Sequence, residues 1–209
     1  MKIFNNKEDL ESEIINDISI SFIPTMGGLH KGHVSLIKKA KKFKNKTLVS
    51  IYVNPKQFNN KEDYNKYPRN LQNDIKILKK LKINYLYLPD NNGIFNFKPK
   101  NKIYLHTFSH QLCGKYRKGH FECVLNVVNR FLEIIKPKYI FLGLKDFQQL
   151  ILIEKHIIKN KINTKVIGCK TIRENNGVAC STRNFNLNIK EMQIAEKIYI
   201  YLRKIKIKV

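Results

Sequence analysis

The alternation of short apolar runs with helix-periodic stretches constrains this chain most. Residues 18–24 (ISISFIP), 47–53 (TLVSIYV), 83–88, 139–142 and 165–169 are apolar runs of strand length, with turn signals at Pro24 and Pro89. Such runs suit strands buried on both faces. Between them lie stretches at helical spacing: 34–43, 70–81 with apolar residues at 71, 75, 78 and 81, 124–135 closed by Pro137, 146–158 with Asp146 as N-cap, and 190–207. A further strand is expected over 103–107. Strand and helix in repetition predict an α/β fold whose parallel sheet is covered on both faces, with ligands bound beyond the carboxyl ends of the strands.

The 209 residues suffice for a domain with a sizeable core, because 43% are apolar and they are spread along the chain. Charge is the unusual feature: 40 basic against 16 acidic residues leave +24. Such a surface attracts anions, nucleic acid among them. Only six of the basic residues are Arg, however, and the Lys excess accompanies Asn and Ile, which share A/T-rich codons. Phosphate readers favour the planar fork of Arg, so mutational bias accounts for the charge better than a dedicated nucleic-acid surface. Cys113, Cys123, Cys169 and Cys180 show no CxxC pairing and are expected as reduced thiols of a cytoplasmic protein, not as a disulfide frame or zinc site. The N-terminus lacks the apolar core of a signal peptide, and no apolar run approaches the roughly 18 residues that span a bilayer.

Four polar clusters fall where the expected strands end. The first is Pro24-Thr25-Met26-Gly27-Gly28-Leu29-His30-Lys31-Gly32-His33. Its glycines permit close backbone approach to a phosphate, and the following helix offers N–H groups to an anion. His30 and His33 can donate to phosphate oxygens as charge builds during adenylyl transfer. This HxGH pattern resembles the signature of adenylyl-transferring enzymes, class I aminoacyl-tRNA synthetases and nucleotidylyltransferases included. The second cluster holds Asn54 and Gln57, neutral two-sided hydrogen bonders that suit a small hydroxylated substrate, although Asn-Pro is equally a common turn. Loops 64–69 (YNKYPR) and 114–121 (GKYRKGHF) mix aromatic and basic residues; Arg117 and His120 can face an anion or solvent. The third cluster, Gly143-Leu144-Lys145-Asp146, opens a helix that carries Gln149 one turn in. Lys145 is placed to neutralise phosphate, and Asp146 to cap the helix or help hold Mg²⁺. In the fourth, Cys180-Ser181-Thr182-Arg183 offers two hydroxyls and a guanidinium as a triphosphate clamp.

Taken in order, the segments PTMGGLHKGH, VNPKQF, YPR, GKYRKGHF, LGLKDFQQL and RENNGVACSTRN resemble the pantoate–β-alanine ligase (pantothenate synthetase) family, across residues 24–184. The resemblance implies a Rossmann-like domain of the nucleotidylyltransferase (HxGH) type over 1–184, with 185–209 as the remnant of a C-terminal lid domain. It implies Mg²⁺-dependent attack of pantoate on the α-phosphate of ATP, then attack of β-alanine on the pantoyl adenylate. His33, His30 and Lys145 carry over as catalytic. Met26, Gly27, Gly28, Leu29, His30, Lys31, Gly32, His33, Gly143, Leu144, Lys145, Asp146, Ile172, Cys180, Ser181, Thr182 and Arg183 carry over as ATP contacts. Gln57 and Gln149 match pantoate binders, and Gln57 with Asn54 the β-alanine side. The family resemblance also implies a cytoplasmic homodimer.

The chain departs from the family pattern at Leu144 (usually Glu or Gln), Lys118 (Pro), Cys123 (Gly), Asn176 (Asp), Cys180 (a larger apolar residue) and Thr182 (Ser). Leu144 is expected to offer only its backbone. A shortened lid would admit water to the adenylate and slow turnover. Two alternatives stand beside the ligase: another HxGH adenylyltransferase, which has no reason to keep VNPxQF and KDxQQL, and a basic RNA-binding protein on a nucleotide fold, which has no reason to cluster His, Gln and Ser/Thr-Arg at strand ends.

Overall fold

The computed structural model describes residues 1–17, 19–58 and 60–207, with side chains up to 205. Six parallel strands form one sheet in the order β1-β4-β3-β2-β5-β6, where β1 is Lys2–Phe4, β2 Ile20–Thr25, β3 Lys46–Ile51, β4 Tyr85–Tyr87, β5 Tyr139–Gly143 and β6 Lys165–Cys169. The chain leaves the central β2 towards β3 and β4, then returns to its other side at β5. The carboxyl ends of β2 and β5 therefore flank the crevice that a reversal of winding direction creates.

Alternation within each strand divides the core. Phe22, Leu48, Ile140 and Leu142 face one layer; Ile23, Val49, Leu86 and Phe141 face the other. The first layer is built on α1 (Lys7–Ile14), α7 (His120–Ile135) and α8 (Phe147–Lys159). The second is built on α2 (Lys31–Lys41) and α4 (Leu71–Lys80), through Ile37, Ala40 and Leu78. Short helices α3 (Lys61–Lys66), α5 (Asn91–Phe95) and α6 (Cys113–Tyr116) lie in the connections, and α9 (Ile189–Ile207) ends the described chain. Asparagine caps several starts: Asn6, Asn60 and Asn70 accept from the N–H groups of Asp9, Asp63 and Asn73 at 2.7–3.0 Å.

Several expectations need correction. The strand over 18–24 is observed from Ile20, residue 18 lying outside the described residues. The strand expected over 103–107 is absent: residues 103–106 are irregular and Thr107 begins a 3₁₀ turn. The Tyr104 N–H instead donates to His156 Nδ1 of α8 at 3.1 Å, and Glu133 of α7 accepts from Lys100 and Asn101 N–H at 2.9 Å. The segment spends its backbone groups on helices, not on the sheet. Strand β1 and helix α1 lie outside the expected elements, and α7 starts four residues earlier than expected, at His120. Asp146 occupies the N-cap position of α8 without a side-chain cap bond; its Oδ1 meets Lys145 Nζ at 3.3 Å.

Candidate active site

A cleft of about 260 Å³ lies at the carboxyl ends of β2, β5 and β6. On the β2 side, Met26, His30, Gly32 and His33 line it. His30 caps α2, its Nδ1 accepting the Gly32 N–H at 3.0 Å, and His33 Nδ1 accepts the His30 N–H at 3.3 Å. A ring nitrogen that accepts carries no proton, so each neutral imidazole keeps its N–H on Nε2. The two rings stack at 4.0 Å between centroids. Burial lowers the pKa of both; that of His33 falls to about 3, with His30 and Lys145 adding to the effect. Two neutral N–H donors therefore stand in the cleft.

The glycines before them do a different job from the one the sequence suggests. Gly27 and Gly28 adopt φ of 77° and 59°, and the Gly28 and Leu29 N–H groups donate to the buried Asp74 carboxylate at 2.9 and 2.8 Å. Those donors are spent on Asp74, so they are not free for phosphate. Gly27, Gly28 and Leu29 are buried and do not line the cleft; Lys31 projects outward to Glu174 at 2.9 Å. A Cβ on Gly28 would stand 2.3 Å from Thr182 Cγ2, so its lack of a side chain lets the β2 loop meet the 181–183 segment.

Across the cleft stand Gly143, Lys145, Asp146 and Gln149. Gln148 turns inward, bonding Phe108 O, Gln111 O and Cys113 N. That leaves Gln149 as the cleft-facing member of the pair. Leu144 does not line the cleft, and its side chain packs over Gly168. Ile172, Cys180, Ser181, Thr182 and Arg183 close the β6 side. The expected clamp is partly committed: Thr182 Oγ1 donates to Gly28 O at 3.1 Å, and Arg183 forks onto Asp63 through Nε at 3.0 Å and Nη2 at 2.8 Å. Cys180 Sγ donates to Glu174 Oε1 at 3.0 Å, and burial pushes its thiol up to about 11.

Gln57 lines the remaining wall beside Tyr52, Phe58 and Tyr67, over a floor that includes Val127, Val128, Phe131 and Leu150. Asn54 does not reach the cleft: it is 1% exposed, and its Oδ1 caps the turn by accepting Lys56 N–H at 3.2 Å. Arg117 and His120, which sequence left open between anion contact and surface loop, both line the cleft and both meet the Gln57 carbonyl, at 3.3 and 3.0 Å. Tyr67, Lys170 and Thr171 also line it and were not singled out. Tyr67 is the tyrosine of the YPR match, whereas Lys170 and Thr171 fall outside every matched segment.

Among the described residues no group of three or more His, Cys, Asp or Glu could hold a metal, and no helix is long and apolar enough to cross a membrane.

The pantoate–β-alanine ligase family matches residues 2–208. The pantothenate synthetase of Francisella tularensis subsp. novicida (strain U112) is 44% identical over 213 residues, spanning 98% of this chain and 80% of that protein. A crystal structure of the Francisella tularensis pantoate–β-alanine ligase, complexed with β-γ ATP and β-alanine, superposes with a TM-score of 0.91 at 43% identity, covering 97% of this chain and 79% of that one. The pantothenate synthetase of Thermus thermophilus superposes with a TM-score of 0.89 at 30% identity, covering 95% of this chain and 72% of that one. With its strand-end cleft and paired histidines set beside these likenesses, the chain belongs to the pantoate–β-alanine ligase family.

Proposed function

We propose that this chain condenses pantoate with β-alanine at the expense of ATP, through a pantoyl adenylate, releasing AMP and pyrophosphate. The observation that carries the reading is the convergence of two Nε2–H imidazoles, Lys145 and two glutamines in one cleft.

His30 and His33 donate to the α-phosphate, where negative charge grows as the pantoate carboxylate attacks. Their Nδ1 atoms are held by backbone N–H groups, so the donors need no reorganisation. Lys145 takes the phosphate charge from the other side, with Ser181 and the uncommitted part of the Arg183 guanidinium along the β6 wall. Cys180 and Ile172 contribute wall contacts and Met26, Gly32 and Gly143 backbone ones. Gln57 and Gln149 hold pantoate through its hydroxyls and carboxylate, and the floor of Val127, Val128 and Phe131 suits its two methyl groups. Gln57 also borders the β-alanine position.

Asp146 is a single carboxylate at the cleft, which fits a Mg²⁺ carried mainly by triphosphate oxygens and water. Such an ion would neutralise charge on the leaving pyrophosphate. The family resemblance adds a homodimer and a cytoplasmic setting, to be checked by light scattering and by cell fractionation.

The test is product analysis with ATP, Mg²⁺, pantoate and β-alanine. Pantothenate and AMP should both appear only when pantoate is supplied, and Gln149→Ala should raise KM for pantoate more than for ATP. Formation of AMP independent of pantoate would overturn the reading.

A further inference from the structure

His120 differs from the other two cleft histidines in its hydrogen-bond partner, and the difference sets its chemistry. A carbonyl oxygen only accepts, so the 3.0 Å contact from His120 Nδ1 to the Gln57 carbonyl puts the proton on Nδ1. The neutral ring then carries a lone pair on Nε2. His30 and His33 are the reverse tautomer, with Nδ1 accepting and Nε2–H donating. The cleft thus holds two donors on the α2 side and one acceptor at the start of α7, beside Gln57.

We propose that His120 is the general base of the amide-forming step, taking a proton from the ammonium group of β-alanine at Nε2. This rests on the ligase reading above. An alkylammonium of this kind has a pKa near that of lysine, about 10, and has no lone pair to attack with at neutral pH. Transfer of one N–H proton to Nε2 frees the lone pair. The N–C bond then forms at the acyl carbon to give a tetrahedral adduct, which collapses with cleavage of the C–O bond to the phosphate, and AMP leaves with that electron pair. The second proton leaves the acidic ammonium of the tetrahedral adduct to water, and the imidazolium returns its own proton to solvent. The Nδ1–H bond to the Gln57 carbonyl stabilises that imidazolium and fixes the ring beside the residue bordering β-alanine.

The surroundings keep the base ready. Burial lowers its pKa, helped by Arg117 and Arg183 and opposed by the Gln57 carbonyl and Asp146. Phe121 covers the ring edge at 5.2 Å between centroids.

His120→Asn tests the role, because an asparagine amide can still donate to the Gln57 carbonyl but has no ring lone pair. Pantoate-dependent ATP–pyrophosphate exchange reports the adenylation step, and transfer from preformed adenylate reports the second step. The variant should lose about 100-fold or more in transfer to β-alanine near pH 7, against only a few-fold in exchange. Its transfer rate should rise about tenfold per pH unit from 7 to 9, following the free-amine fraction, whereas the wild type stays nearly flat. Transfer to hydroxylamine, which is already unprotonated at pH 7, should be nearly as fast in the variant as in the wild type. Equal losses with hydroxylamine and β-alanine, or equal losses in exchange and transfer, would assign His120 to holding Gln57 and overturn the base role. A variant with wild-type transfer to β-alanine would overturn it as well. Absence of pantoate-dependent exchange in the wild-type chain would overturn the ligase reading itself, which separates the two failures.

Discussion

At the residue scale, proton positions in the cleft follow from which backbone group each ring meets. A backbone N–H forces His30 and His33 to accept at Nδ1, and a backbone carbonyl forces His120 to donate there. Gly32 guards this arrangement. A Cβ at that position would lie 2.7 Å from His30 Cε1 and 2.9 Å from Nδ1, so Gly32→Ala must rotate the ring out of place. Displacing a pre-set donor to a developing oxyanion costs about 10²–10³ in kcat. Gly32→Ala should therefore fall in that range while keeping its melting temperature within a few degrees, because the helix itself tolerates Ala. A fall in stability with unchanged kcat would mean the ring had found room. HxGH was legible in the sequence because both histidines and the glycine are close in the chain. Asp74 was not: it meets Gly28 and Leu29 from 46 and 45 residues away, and an aspartate in the first turn of an amphipathic helix reads as ordinary surface charge.

At the element scale, four helices end with lysine in the left-handed conformation that favours glycine. Lys44, Lys82, Lys136 and Lys161 have φ of 57°, 49°, 46° and 53°, and they follow α2, α4, α7 and α8. After α8, Ile162 N–H reaches Ile157 O at 3.0 Å and Lys161 N–H reaches Ile158 O at 3.1 Å, the paired bonds of a Schellman closure. A lysine there carries Cβ strain that glycine lacks, partly offset by the greater entropy glycine has when unfolded. Lys161→Gly and Lys82→Gly should each stabilise by about 0.5–1 kcal/mol in urea titrations, without changing activity. Loss of stability in both would show that the lysine stems pack usefully. The same lysines explain why helix ends were hard to place, since the Gly signal was missing. Strands β2, β3 and β5 were legible because each is an apolar run buried on both faces, and β6, half-buried at the sheet edge, because its apolar run is of strand length. Strand β1 was missed because it is three residues of partly exposed sheet edge, and the false strand at 103–107 is an apolar stretch whose backbone partner, His156, lies 52 residues away.

At the scale of the whole molecule, burial keeps histidines neutral in the folded chain: His30, His33, His120 and His156 all have lowered pKa values. The unfolded chain binds protons at the ordinary value of 6.5. Stability is therefore complete above that pH and drains as pH falls, for His33 down to about 3. Each such site adds at most about 1.4 kcal/mol per pH unit, less where solvent screens it. Wild-type stability from urea unfolding should drop between pH 7 and pH 5, and His33→Gln should reduce that drop by about 1 kcal/mol. An identical drop in the variant would contradict the burial of His33. His156 belongs to the core rather than the site, its Nε2 meeting Asn129 Oδ1 at 3.0 Å.

Pantoate-dependent ATP–pyrophosphate exchange, in the wild type and in His33→Ala, tests the central claim most directly, because it isolates the step the paired imidazoles serve. Exchange that requires pantoate, and falls by about 10² or more when the His33 donor is removed, is the predicted result. Exchange that proceeds equally without pantoate, or that survives His33→Ala undiminished, would contradict it.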